Sequence, residues 1–514
     1  MKKLSRFVQI CFLALFVVLF LKTRYPFKDE MGIEFFFRLS PLLPIVDVVQ
    51  NYALNIDLLI PGVLIVAITY LFGRFFCSWI CPLGALLDLF SWLFKPFSLI
   101  KPFPAISTAF LRKIPAFLLM FSIFTAALHT SFWAFFDPIS ITLRFFTLIF
   151  FPIFSYFGTK IINFSRSFQP LEEITSSIVR YWEKLVLPEG INHVSDFHSV
   201  VFLLVIIFGL EFFSRRFWCR YVCPSGCFLG LISKSAYSGI QINSSCVSCG
   251  QCVEKCPMGA IEKDISEKAL QINRSLCTLC FDCIYRCPPN VRALDFSKKT
   301  AETFNESSSA FTRRDFLRSI SASIAAFGLT KIVQKNPSEK AFFIRPPGAI
   351  PEEEFLEKCI KCMACVRMCK SNGSCLQPSP IKTDILELWT PVAVMRTGYC
   401  EYNCNLCGQI CPTQAIKPLQ LEKKQKLSIG KAVFETTLCI PYSRGEDCLV
   451  CEEHCPVPQK AIKFRERKIK TKNGTKTIKR PYVDYSLCIG CGICEHKCPL
   501  PSRPGIYITS DKAD

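Results

Sequence analysis

Few folds can hold 31 cysteines in 514 residues, and 24 of those found here fall into six short quartets. They are Cys246, Cys249, Cys252 and Cys256; Cys277, Cys280, Cys283 and Cys287; Cys359, Cys362, Cys365 and Cys369; Cys400, Cys404, Cys407 and Cys411; Cys439, Cys448, Cys451 and Cys455; and Cys488, Cys491, Cys494 and Cys498. Five of the six end in Cys-Pro. In a C-x2-C-x2-C-x3-C-P run, three thiolates hold one [4Fe–4S] cube and the fourth reaches a neighbouring cube. Thiolates suit iron because they are soft and anionic, and two-residue gaps let successive sulfurs converge. Zinc ribbons use two separated pairs instead, and disulfide scaffolds are usually small secreted domains. Six [4Fe–4S] clusters are therefore expected. Within 240–298, the crossing predicts one on Cys246, Cys249, Cys252 and Cys287 and another on Cys277, Cys280, Cys283 and Cys256.

The clusters also bear on the formal charge of +20. Each oxidised cube with four thiolates carries about −2, so six leave about +8. The residual basic excess flanks apolar segments and lacks an aromatic–basic motif, so nucleic acid is not an expected partner.

The apolar excess lies mostly before residue 235, whereas 25 of the 31 cysteines lie after it. Runs 4–21, 58–76, 114–128 and 199–213 are each near the length of a tilted span. Arg74, Arg215, Arg216 and Arg220 mark ends that the positive-inside rule assigns to the cytoplasm. Segment 141–157 is apolar but contains Arg144 and Pro152, and reads as an interfacial or re-entrant helix in the outer loop. After a polar linker, Thr312-Arg313-Arg314-Asp315-Phe316-Leu317-Arg318 precedes the apolar stretch 320–333, matching a twin-arginine export signal. Asn473-Gly474, between alternating stretches, predicts a hairpin.

The expected architecture is a membrane α-helical bundle, four spans plus one linking span, with two α+β bacterial-ferredoxin-like modules. Its parts are a membrane domain (1–235), a cytoplasmic two-cluster module (240–298), a linker with the fifth span (299–340) and an exported four-cluster module (341–514). The expected location is a bacterial cytoplasmic (inner) membrane.

Two strings stand outside the quartets: RFFCSWICPLG at 74–84 and RFWCRYVCPSG at 216–226. A spacing of four puts Cys77 and Cys81, and likewise Cys219 and Cys223, on one helix face, and proline ends the helix. Repetition makes these four, with Cys227 nearby, candidates for a thiol or metal site. Glu211 is a carboxylate in an apolar segment and a candidate for a quinol site, although an ion pair with Arg215 explains it equally. His129, His193 and His198 fall near outer span ends, where a proton acceptor or an ordinary interfacial histidine would serve. There is no C-x-x-C-H motif, nucleophile–base pair, phosphate loop or flavin-attachment site. The chain reads as an electron conduit.

The paired C-x3-C-P strings followed by Cys246–Cys287 resemble the NapH and MauN group. TRRDFLR, CIKCMACVRMC, CEYNCNLCGQICP and CIGCGICEHKCP resemble NapG and MauM, four-cluster ferredoxin-type proteins. The chain thus resembles a NapH–NapG fusion. The resemblance implies electron transfer from membrane quinol to an extracytoplasmic redox enzyme or carrier, with a membrane partner subunit as a further option. It also implies outer ligand sets of Cys359, Cys362, Cys365 and Cys498; Cys488, Cys491, Cys494 and Cys369; Cys400, Cys404, Cys407 and Cys455; and Cys439, Cys448, Cys451 and Cys411. Cys369 lacks the following proline, which leaves Cys375 as an alternative ligand. The C-x3-C-P half is also similar to the CcoG/FixG and NosR types, which implies an alternative role in metalloenzyme or copper-oxidase maturation.

Overall fold

The computed structural model describes residues 1–27, 31–51, 55–94, 110–165, 197–263, 270–288, 290–291, 293–298, 313–333, 343–380, 384–471 and 474–510. The first apolar run, free of proline and glycine, forms one helix, Lys2–Lys22. Among the described residues, this helix and Pro138–Phe164 are long and apolar enough to cross a membrane. The other expected spans are shorter: Ile56–Phe72, Ile114–Ala127 and Phe197–Leu210 have 17, 14 and 14 residues. They rise about 21–26 Å, against a hydrocarbon core of about 30 Å. Ile56–Phe72 stops short of residue 76 because Gly73, at φ 94°, turns the chain out of the helix. Helix Arg313–Val333 carries Arg313, Arg314, Asp315 and Arg318 in its first turns and falls outside the apolar pair.

Segment 141–157 departs from expectation. It is the middle of the continuous 27-residue helix Pro138–Phe164. Asp137 caps that helix by accepting the Ser140 N–H at 2.8 Å, and Pro138 fills its first position. A π-turn at Phe146–Phe150 interrupts the regular ladder. Arg144, which argued against burial, is 1% exposed. Its Nε donates to the Lys361 carbonyl at 2.9 Å and its Nη2 to the Ala134 carbonyl at 2.5 Å, 5.0 Å from the Trp389 ring. The guanidinium is tolerated because another part of the chain supplies its acceptors.

The cysteine modules are built from short helices and two-stranded antiparallel ladders. In the first module, Ser238–Ile242 pairs with Leu294–Lys298 and Ile261–Lys263 with Leu270–Ile272. In the second, Leu376–Pro378 pairs with Pro391–Ala393 and Lys431–Phe434 with Ile506–Thr509. The expected hairpin is present as Ile462–Thr471 against Gly474–Val483, with Thr471 opposite Gly474.

The two modules occupy opposite ends of the helical domain. Phe75 and Trp79 pack into the core of the first module, and Lys2 pairs with Asp282 at 2.7 Å. At the other end, Ser371 Oγ accepts the Tyr25 N–H at 2.8 Å, and Arg367 lies over Phe20 and Phe151 at 4.6 and 3.9 Å. Flanking Ile114–Ala127, Arg112 pairs with Glu262 of the first module, while His129 lies 3.7 Å from Glu357 of the second. That helix rises about 21 Å. Arg313–Val333 runs alongside in the same direction, joined by Lys113–Asp315 at 2.8 Å and Phe124–Phe327 at 6.1 Å.

Replacing Arg144 with leucine removes the donors to the Lys361 and Ala134 carbonyls. Leaving such buried acceptors unmade costs about 1–3 kcal/mol. The variant is expected to unfold at lower temperature and to release the second module faster under limited proteolysis.

Candidate iron–sulfur centres

Four of the six quartet loops share one backbone device. Residues on both sides of the second cysteine take positive φ: Ser248 and Gly250, Leu279 and Phe281, Lys361 and Met363, Gly490 and Gly492. Left-handed turns curl the C-x2-C-x2-C segment into a cup that aims three sulfurs inward. Non-glycine residues pay about 1–2 kcal/mol for that conformation. A fourth sulfur then arrives from a neighbouring quartet.

In the first module, one small apolar cavity is lined by Cys246, Cys249, Cys252 and Cys287, and a second by Cys256, Cys277, Cys280 and Cys283. Both sets are those expected. The second module differs from the sets implied by resemblance. Cys359, Cys362 and Cys365 share a cavity with Cys411, while Cys439, Cys448 and Cys451 share one with Cys498. Cys400, Cys404 and Cys407 face Cys369, and Cys491 faces Cys455. Each crossing therefore joins quartets adjacent in sequence, which closes shorter loops. The second module is two copies of the first module's arrangement.

The crossing sulfurs also accept backbone N–H groups. Ala260 donates to Cys256 at 3.2 Å, Ala293 to Cys287 at 3.4 Å, Ala461 to Cys455 at 3.4 Å and Gly505 to Cys498 at 3.3 Å. Such bonds favour the anionic sulfur. Cys369 receives N–H groups from Ser374, Cys375 and Leu376, and the Cys375 sulfur lies 3.8 Å from it. The hydrogen bond with Cys375 holds the Cys369 thiol low against the opposing effect of burial, and these amides assist it. Cys369 is thus the sulfur whose anionic form the backbone favours, and Cys375 is its buried neighbour.

Burial pushes the Cys277 thiol up to about 11 and the Cys451 and Cys491 thiols up to about 12. Alone, these groups keep their protons at neutral pH, and metal binding must displace them. Thiol cups supported by N–H donors fit an iron–sulfur cube, which exchanges single electrons when bound. Burial also pushes the Lys361 ammonium, 1% exposed, down to about 8. Its Nζ lies 4.8 Å from the Phe135 ring, beside Cys359.

The two C-x3-C-P strings come together. Each breaks a helix: Phe76–Trp79 is followed by Pro82–Leu93, and Phe217–Tyr221 by Pro224–Lys234. Cys77, Cys81, Cys219 and Cys223 are all buried. Arg74 and Arg216, expected as charges marking cytoplasmic span ends, are 2% and 1% exposed. Arg74 Nη2 donates to the Cys219 carbonyl at 3.1 Å, and Arg216 Nη1 to the Cys77 carbonyl at 3.4 Å. Each repeat's arginine thus holds the other repeat's cysteine turn. Arg216 is also paired with Asp88 at 2.6 Å. The reciprocal clasp escaped sequence reasoning, although arginine at the same place in both strings was its signal.

The quinol candidates lie apart. Glu211 Oε2 accepts from Ser91 Oγ at 3.1 Å and from the Arg216 N–H at 2.8 Å, in place of the expected pairing with Arg215. It lines a large cavity with Asp88, Phe90 and Phe212 that extends to Cys256. His129 is at the opposite end, against Glu357. His193 lies outside the described residues.

Residues 238–288 match the family described as a 4Fe-4S dicluster domain, and residues 481–500 match a 4Fe-4S binding domain. A further 4Fe-4S binding domain family matches 54–100 and 197–240, the segments holding the C-x3-C-P strings. The chain is an iron–sulfur protein of ferredoxin type. The methylamine utilization ferredoxin-type protein MauM of Methylophilus methylotrophus is 34% identical over 173 residues, 32% of this chain and 70% of the relative. The ferredoxin-type protein NapG of Escherichia coli is 31% identical over 184 residues, 35% of this chain and 77% of the relative. The chain belongs to this MauM and NapG family of ferredoxin-type proteins. The putative electron transport protein YccM of Escherichia coli is 28% identical over 194 residues, 37% of this chain and 43% of the relative. No solved structure matches the chain.

Cys369→Ser is expected to lower iron by about four atoms per chain, one cube, whereas Cys375→Ser retains the full count. Iron and acid-labile sulfide analysis of the two variants distinguishes the ligand from its neighbour.

Proposed function

We propose that the chain carries electrons between a membrane quinol pool and an extracytoplasmic redox partner, with a NapH-like helical half fused to a NapG-like half that holds four clusters. In this reading the helical domain lies in a bacterial inner membrane. The first module then faces the cytoplasm, the second faces the periplasm, and Arg313–Val333 carries the chain across. The six quartets hold six [4Fe–4S] clusters.

The observation that carries the reading is the cavity between the helical domain and the first module, which reaches from Glu211 to Cys256. A quinol releases two electrons and two protons on oxidation, so its site needs a proton acceptor beside an electron acceptor. Glu211 Oε1 is buried without a hydrogen-bond partner among the described residues and is placed to take a proton. Phe90 and Phe212 supply an apolar wall for a ring, and Cys256 belongs to the ligand set on the far side. In the second module, the Cys359, Cys362, Cys365 and Cys411 set lies against the helical domain, beside Arg144. The Cys400 N–H donates to the Cys491 carbonyl at 2.8 Å, bringing the following sets together.

Full-length protein in detergent or nanodiscs, mixed anaerobically with a menaquinol analogue, is expected to show cluster reduction by EPR. Glu211→Gln should slow reduction by quinol about 10²-fold or more, the usual range for loss of a general base. Reduction by dithionite should be unchanged. Equal quinol rates in the two proteins would contradict the assignment.

A further inference from the structure

We infer that the two C-x3-C-P pairs are halves of one metal centre, in which Cys77, Cys81, Cys219 and Cys223 together hold a seventh [4Fe–4S] cluster. Each string supplies two thiols, half of what a cube needs, and the fold brings the halves face to face. Cys81 lies within electrostatic reach of Cys77 and Cys219, and Cys223 within reach of Cys77 and Cys81. The reciprocal arginine clasp relates the halves by an approximate two-fold.

Charge supports a metal centre over four neutral thiols. The described partners of buried Arg74 are the Cys77 sulfur at 3.2 Å and the carbonyls of Cys219 and Ser275 at 3.1 and 3.4 Å. An anion beside a desolvated guanidinium offsets the cost of burying it, and a neutral thiol is not one. A cube with four thiolates carries about −2 and supplies the missing charge. The backbone points the same way. Cys81 and Cys223 cap helices of 12 and 11 residues, and the Gly226 N–H donates to the Cys223 sulfur at 3.3 Å. Glycine occupies the matching site in both strings because a Cβ would collide, at Gly84 with the Cys77 carbonyl and at Gly226 with the Arg74 guanidinium.

Position supplies the role. On one side Ser78 Oγ donates to Thr278 Oγ1 at 2.7 Å and Trp79 Nε1 to the Leu279 carbonyl at 3.0 Å, in the loop that carries Cys277 and Cys280. On the other side Trp218 stacks on Phe136 at 6.5 Å, and adjacent Phe135 meets Trp389 of the second module at 5.2 Å. The centre sits between the modules. It would take one electron from a cluster of one module and pass one to a cluster of the other, with no bond made or broken. The relay role rests on the electron-transfer reading above, whereas the metal site does not.

The test is iron and acid-labile sulfide analysis of anaerobically purified full-length protein. Seven cubes give about 28 irons per chain and six give about 24. Cys81→Ser/Cys223→Ser is expected to lose about four irons while the EPR signals of the quartets persist. Cys11→Ser should lose none. Independently of any variant, the four thiols of the native protein should resist alkylation until iron is chelated. An unchanged iron count in the double variant, ready alkylation of the native protein, or copper or zinc at the site would overturn the assignment. Failure of quinol to reduce a 28-iron protein would overturn the relay alone.

Discussion

Two guanidinium groups buried between two copies of one short motif hold the middle of this molecule. Arg74 reaches across to the turn of Cys219, Arg216 reaches back to the turn of Cys77, and each is nearly inaccessible to water. Buried charge persists only where partners meet it. The clasp therefore fixes the two broken helices against each other and sets the facing of their four sulfurs. The neighbouring contacts depend on it. Ser78 and Trp79 dock the first module from one motif, and Trp218 turns toward the second module from the other.

The second module follows the same economy. Arg144, Lys361 and Arg367 are three buried cations at its junction with the helical domain, met by carbonyls and aromatic faces. Positive charge in a dry setting beside the Cys359 set favours an anionic centre there. An arginine in an otherwise apolar helix is thus part of the docking surface of a distant segment.

Much of this was legible in the sequence, because cysteine spacing is a local signal. The quartets, and the crossed sets of cysteines that share each cavity in 240–298, followed from spacing alone. The outer crossings were inferred by resemblance and came out differently, since adjacent quartets exchange sulfurs: Cys411 belongs with Cys359, and Cys498 with Cys439. The burial of Arg144 within segment 141–157 was not legible because one of its acceptors, the Lys361 carbonyl, lies 217 residues away. Arg74 and Arg216 were read as topological charges for the same reason, since their partners lie in the opposite repeat. Glu211 was noticed as an intramembrane carboxylate, but its cavity and its distance from His129 needed the fold. Long-range pairing of polar groups is what spacing does not encode.

The central claim is that adjacent quartets form the metal centres and that these lie at both ends of one helical domain. Anomalous scattering at the iron edge, from crystals of full-length protein grown without oxygen, tests it most directly. The account predicts iron peaks inside the sulfur sets Cys359, Cys362, Cys365, Cys411 and Cys439, Cys448, Cys451, Cys498, with the first-module peaks across the helices from them. Peaks bridging Cys359 to Cys498 or Cys439 to Cys411, or first- and second-module peaks side by side at one end of the helices, would contradict it.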